Sequence, residues 1–259
     1  MLNYFRSEIY RNLHSKGNYM FILGVMLFVV FLNVILWMFG NLDSTFPYNT
    51  TKYAFSSLYA NMKIPMVLCV CVVNLIFGQE YKNHTLKNTI SFGISRNAIY
   101  LSKFLISLVY ALIVGVFVSS AFIISAYMLL ENSGIEYLTI LIKAMIASIP
   151  LLLVALTIAN CFYFITDKEI NAIGYWVAII VIIPSLLLMA GRRSEICKVI
   201  ANYMPLNLIS DISFNEETNK LVLGFITQGG IIKSIIVGII FCLIFYFLGL
   251  EMFKRREIK

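Results

Sequence analysis

The chain has 259 residues, 60% of them hydrophobic and 13% charged, with a formal net charge of +7. A soluble domain carries about 25% charged residues, and uncharged apolar runs of roughly 18 or more residues read as membrane-spanning helices. The composition therefore excludes a soluble globular enzyme and predicts an all-α integral membrane protein. The basic balance is then a topology signal, and with no base-reading motif beside it, nucleic acid is excluded as a partner.

Leu2, Phe5, Ile9 and Leu13 recur at helical spacing, with Arg6, Glu8, Arg11 and Asn12 among them. That pattern predicts an amphipathic helix over 1–17 lying in the membrane interface. Span 1 follows over Tyr19–Phe39, with Asn33 its one strongly polar residue, and residues 41–63 read as a polar loop. Span 2 covers Ile64–Gln79, with Pro65 in the first turn, where its missing N–H costs nothing, and Asn74 inside.

The segment 80–103 is polar and basic between two apolar runs, with charges at Glu80, Lys82, Lys87, Arg96 and Lys103, and His84 as a further candidate. It reads as structure. Asn83 or Thr85 can cap a short helix, Leu86 and Ile90 share a face, and Gly93 can end the helix in the left-handed conformation. Ser95 can then cap the helix that becomes span 3.

Span 3 is long, Phe104–Leu130, with serines at positions suited to close helix packing. Span 4, Ala144–Thr166, contains Pro150 and Asn160, and span 5, Ala172–Ala190, contains Pro184. Residues 191–230 form the largest polar stretch, in which Ile196–Ile209 reads as short helices dipping toward the membrane without crossing it. Span 6 is Ile231–Phe253, before the basic end Lys254-Arg255-Arg256.

Six spans place both termini on one side. The positive-inside rule makes that side, with 80–103, cytoplasmic and the 191–230 loop external. The first apolar run is too long for a signal-peptide core. The five cysteines have neither zinc nor redox spacing, and no disulfide is expected.

Chemistry of the chain's own is not indicated. The only histidines are His14 and His84, no phosphate-binding glycine loop occurs, and no metal-ligand spacing is present. No span carries an ionisable residue at its centre, against an ion-coupled transporter. The expectation is a non-enzymatic, single-domain membrane body, 1–259, with one cytoplasmic lever.

The run Glu-Tyr-Lys-Asn-His-Thr-Leu-Lys-Asn-Thr-Ile-Ser-Phe-Gly-Ile-Ser-Arg from Glu80, with Ile-Tyr-Leu-Ser-Lys after it, resembles the first cytoplasmic loop of type-2 (ABC-2) exporter permeases. The layout of the chain is similar too. The resemblance implies a transmembrane permease of the bacterial plasma membrane, paired with a second copy or a paralogue and driven by two separate ABC ATPase subunits. No cofactor is bound directly, and ATP with magnesium sits on the partner. It also implies a coupling helix at 83–92 seated in an ATPase groove, with Glu80, Tyr81, Lys82, Thr85, Leu86, Lys87, Ile90, Gly93, Ser95 and Arg96 as the coupling residues. The interfacial helix and the turn at Asp167–Glu169 give secondary ATPase contacts. Asn33, Asn74, Asn160 and the Pro184 region are candidates for the translocation path, and interhelical hydrogen bonding is the alternative for the three asparagines. The small size is most similar to Gram-positive peptide exporters and bacteriocin-immunity permeases, hence an amphipathic peptide cargo. Drug, lipid or ion export, or a non-transporting sensor or scaffold, are the competing readings.

Overall fold

Helix α1 (Leu2–Leu13) is the expected amphipathic element. It buries Tyr4 and Glu8 against the bundle, while Phe5 and Ile9 pack at its margin. This computed structural model describes residues 2–43, 45–83, 85–215 and 220–256. A tight corner, in which the Asn18 amide donates to the Asn12 carbonyl at 2.9 Å and the Tyr19 hydroxyl to that of Leu13 at 2.6 Å, turns the chain into α2 (Lys16–Leu42).

Among the described residues, five helical stretches are long and apolar enough to cross a membrane. They are α2, α6 (Arg96–Leu129), α7 (Glu136–Ile165), the Glu169–Ala190 stretch and α12 (Gln228–Arg255). Helices α3 (Thr51–Ala60) and α4 (Lys63–Asn83) meet at a 63° bend and make a sixth when the bent pair is counted as one broken span, the other geometry for such a pair being a re-entrant loop. Helix α6 has 34 residues, about 51 Å at 1.5 Å per residue. It therefore overshoots a hydrocarbon core of roughly 30 Å.

Helix α7 is the centre of the bundle. Its face of Leu141, Ala144, Leu151, Ala155, Ile158 and Ala159 is fully buried, and the small side chains let neighbours approach closely. Helix α12 packs along it where Gly238 faces Pro150 and Gly249 faces Cys161. A Cβ on Gly238 would stand 2.9 Å from that of Pro150. Helix α2 is peripheral, burying only Asn18 and Asn33.

Three expectations are corrected. Residues 41–63 are not simply a loop, because α3 occupies half of them. Thr50 accepts from the Tyr53 N–H as its cap, and Thr51, Ala54, Phe55 and Tyr59 form a buried stripe. Dense serine and asparagine hid that stripe. The Ser57 and Asn61 side chains donate back to the helix's own carbonyls. Span 5, expected as a single run over Ala172–Ala190, is not one regular α-helix. Helix α8 (Glu169–Val177) passes through a π-helical segment, Ala178–Ile182, into α9 (Ile183–Ala190), with Pro184 directly after the π-helical segment. The 191–230 loop contains not only α10 (Glu195–Ala201) and α11 (Pro205–Ile209) but also an antiparallel pair, β1 (Ile212–Asn215) with β2 (Lys220–Leu223). It is the one strand pair among the described residues of an otherwise all-α membrane fold.

Candidate functional site

The end of the bundle that gathers both chain ends also carries the short helix α5 (Thr85–Ser91). Gly93 follows at φ +79°, the left-handed region that an L-residue occupies only with strain. The Ser95 hydroxyl accepts from the Ala98 N–H at 3.3 Å and caps α6. His84 lies outside the described residues, as do the side chains of Lys82, Asn83 and Thr85.

Leu86 and Ile90 share a face, and that face packs inward against the chain's own core. The outward face is Lys87, Asn88, Ser91 and Phe92, with Phe92 85% exposed. The apolar spacing identified the helix but not which way its apolar stripe turns.

Both stems of this segment are fastened. On the α4 side, the Tyr81 hydroxyl meets the backbone carbonyls of Tyr163 and Thr166, the latter at 2.9 Å, joining α4 to the end of α7. On the α6 side, Arg96 donates to the carbonyls of Phe253, Lys254 and Arg256 at 2.6–2.7 Å, satisfying the free C=O groups at the end of α12. Arg256 in turn donates to the Phe164 carbonyl and pairs with Asp167. Behind these bonds, the Phe164 ring of α7 meets Phe77 of α4 edge-on and Tyr100 of α6 and Phe253 of α12 at a tilt, with centroids 4.6–4.9 Å apart.

A buried charge cluster lies just inside. Lys103, 0% exposed, holds Glu8 of α1 at 2.7 Å and Glu80 of α4 at 2.8 Å, and donates to the Ile76 carbonyl at 3.3 Å. All three ammonium protons are thus placed, and the charge lies 5.1 Å from the Phe77 ring centre. Arg11 bridges the same two carboxylates at 2.6 and 3.2 Å. Two carboxylates and two cations balance, which is how buried charges are tolerated. Burial first, then the Glu80 and Glu8 charges, push the Tyr4 phenol well above its ordinary range.

Sequence reasoning placed Glu80 here but took Lys103 for a surface charge and Glu8 for the polar face of an interfacial helix. The available signal was Glu8 beside Phe5 and Ile9 on the helical wheel, a carboxylate on the edge of an apolar face.

The asparagines are mostly engaged between helices. Asn33 donates to the Phe122 carbonyl and the Ser125 hydroxyl at 3.0 and 2.8 Å. Asn160 accepts from Ser107 at 3.2 Å and donates to the Leu156 carbonyl. Asn74 is half-buried, and its carbonyl oxygen has no hydrogen-bond partner among the described residues. Pro184 is buried, and its carbonyl accepts from Asn207 of α11. Among the described residues no hydrogen bond joins any two of the four path candidates.

The protein-family model described as "ABC-2 family transporter protein" matches residues 4–185, more than half of the chain. The chain belongs to the ABC-2 transporter family. The matched region contains α1 from Tyr4 onward, the whole segment from Glu80 to Lys103, and every member of the charge cluster. No curated protein matches the chain. As an ABC-2 permease it is a multi-pass membrane subunit of a transporter whose ATP-binding partner is a separate ABC ATPase.

Proposed function

We propose that this permease is the transmembrane half of an exporter that moves amphipathic peptides outward across a bacterial plasma membrane. Two ATPase subunits drive it, and it works with a second permease copy or a paralogue. The observation that carries this reading is α5: a short helix with an outward polar and aromatic face, ended by a left-handed glycine and fastened through both stems to the bundle. Such a unit converts contact at one surface into motion of α4 and α6 together. ATP-driven closure of the ATPases displaces α5, Gly93 keeps the corner stiff, and the bundle opens to release cargo on the far side.

The test is co-purification from membranes in mild detergent. An ATPase should accompany the intact chain and be lost with Phe92→Asp/Lys87→Glu, on the exposed face. Loss of the ATPase with an unchanged elution profile supports docking through α5. Full retention with the double variant removes the coupling-helix reading, and absence of any ATPase with the intact chain removes the exporter. Cargo class is tested separately, by ATPase stimulation in proteoliposomes with amphipathic peptides.

A further inference from the structure

Between α1, α2 and α6 lies an apolar groove of about 750 Å³, within the roughly 300–1,000 Å³ typical of ligand sites. Its walls are Phe5 and Ile9 of α1, Ile22 and Met26 of α2, and Ile106 and Phe117 of α6. From Ile106 to Phe117 it runs about 16 Å along α6, close to the roughly 15 Å hydrocarbon depth of one leaflet.

The groove begins at the interfacial helix, where the lip is polar and basic. Asn18 and Tyr19 line it, and Arg6 and Lys16 are exposed one turn away from lining residues. Neither Arg6 nor Lys16 has an ion-pair partner among the described residues. The one carboxylate of α1, Glu8, is buried and already held by Arg11 and Lys103. From Lys16 to Leu42, α2 has no acidic residue.

We propose that this groove binds one anionic phospholipid of the adjoining leaflet. An acyl chain fills the α1–α2–α6 groove, and the headgroup phosphate sits between Arg6 and Lys16. The length of the groove selects a chain that ends at mid-bilayer, and the unpaired cations at its mouth select negative charge. The inference requires only that the chain resides in a bilayer. It is independent of the ATPase and of the cargo.

The experiment is native mass spectrometry of the purified full-length permease, released from nanodiscs of equimolar phosphatidylglycerol and phosphatidylcholine. The intact chain should retain phosphatidylglycerol over phosphatidylcholine by on the order of tenfold, given a substantial attraction per basic residue at an anionic surface. Arg6→Gln/Lys16→Gln should bring that ratio to about one with lipid still bound. Val109→Trp, which fills the groove from its half-exposed α6 wall, should remove the bound lipid without changing the elution volume. Equal retention of the two lipids by the intact chain, or a preference surviving in both variants, overturns the site. So does capture of an amphipathic peptide at the groove in place of lipid.

Discussion

The sharpest consequence of the charge cluster is that two cations touching the same two carboxylates should differ widely in what their removal costs. Lys103 is 0% exposed and the Arg11 side chain 32%. Lys103→Met keeps the length of the side chain but leaves Glu8 and Glu80 buried with only the one-third-exposed Arg11 between them. Removing one partner of a buried ion pair costs about 3–5 kcal/mol. At roughly 2–4 °C per kcal/mol for a chain near this size, the melting temperature should fall by about 6–20 °C. Arg11→Gln also leaves the two buried carboxylates one cation short, but Lys103 still holds both and water can reach the vacated, one-third-exposed Arg11 position, so it should cost less, about 1–2 kcal/mol. The assay is thermal unfolding in detergent followed by tryptophan fluorescence, with Trp176 buried against α7 as reporter. The double variant Lys103→Met/Glu80→Gln restores neutrality and should recover more than half of the loss. If Lys103→Met melts within 2 °C of Arg11→Gln, Lys103 is not a buried charge holding two acids, and the reasoning fails.

Three further outcomes follow from individual contacts. Gly93→Ala places a Cβ at φ +79° with nothing within 4 Å of it, so its cost is purely the left-handed backbone, about 1–2 kcal/mol. If α5 couples as proposed, ATP hydrolysis per cargo moved should rise while the melting temperature falls by only about 2–8 °C, and Gly93→Asn should be milder. Arg96→Gln removes three charge-assisted bonds from the end of α12, so hydrogen–deuterium exchange should quicken at residues 253–256 and not in the middle of α12. Gly238→Leu drives a side chain into Pro150 and should destabilise by about 1–3 kcal/mol, whereas Gly115→Leu on α6, with open space around its Cβ, should not.

What was legible in the sequence was local. The apolar runs, the glycine corner at Gly93 and the Ser95 cap depend on residues within a few positions of one another, and each sits where its chemistry placed it. What was not legible was pairing at a distance. Glu8, Glu80 and Lys103 are dispersed along the chain, and each alone reads as a charge at the end of an apolar segment, where side chains ordinarily reach water. The helix α3 was hidden because its polar residues satisfy themselves on its own backbone, so composition suggested a loop. The stripe of Leu86 and Ile90 was read correctly as one face of a helix, but periodicity does not say whether a face meets its own chain or a partner. Phe92, just past the helix and outside that stripe, is a large apolar side chain left 85% exposed.

The cluster also bears on why charge is buried at all in this part of the bundle. A buried ion pair is weak as a source of stability, since an apolar replacement of the same shape often does as well, so the gain must lie in what the charges hold in register. Lys103 touches α1 through Glu8 and α4 through Glu80 while belonging to α6. In the reading proposed above, a push on α5 leaves it along two stems: into α4, which carries Glu80 and Tyr81, and into α6, which carries Arg96 and Lys103. The Lys103 ammonium joins those stems to each other and to α1, while Arg96 and Tyr81 carry them on to α12 and α7. An apolar contact at that point would let the helices slide, because dispersion has little directional preference. Three directed hydrogen bonds from one ammonium fix the relative height of three helices. Register between stems, more than stability, is what a coupling segment needs, and it is the property that separates Lys103→Met from a mutation that merely loosens the core.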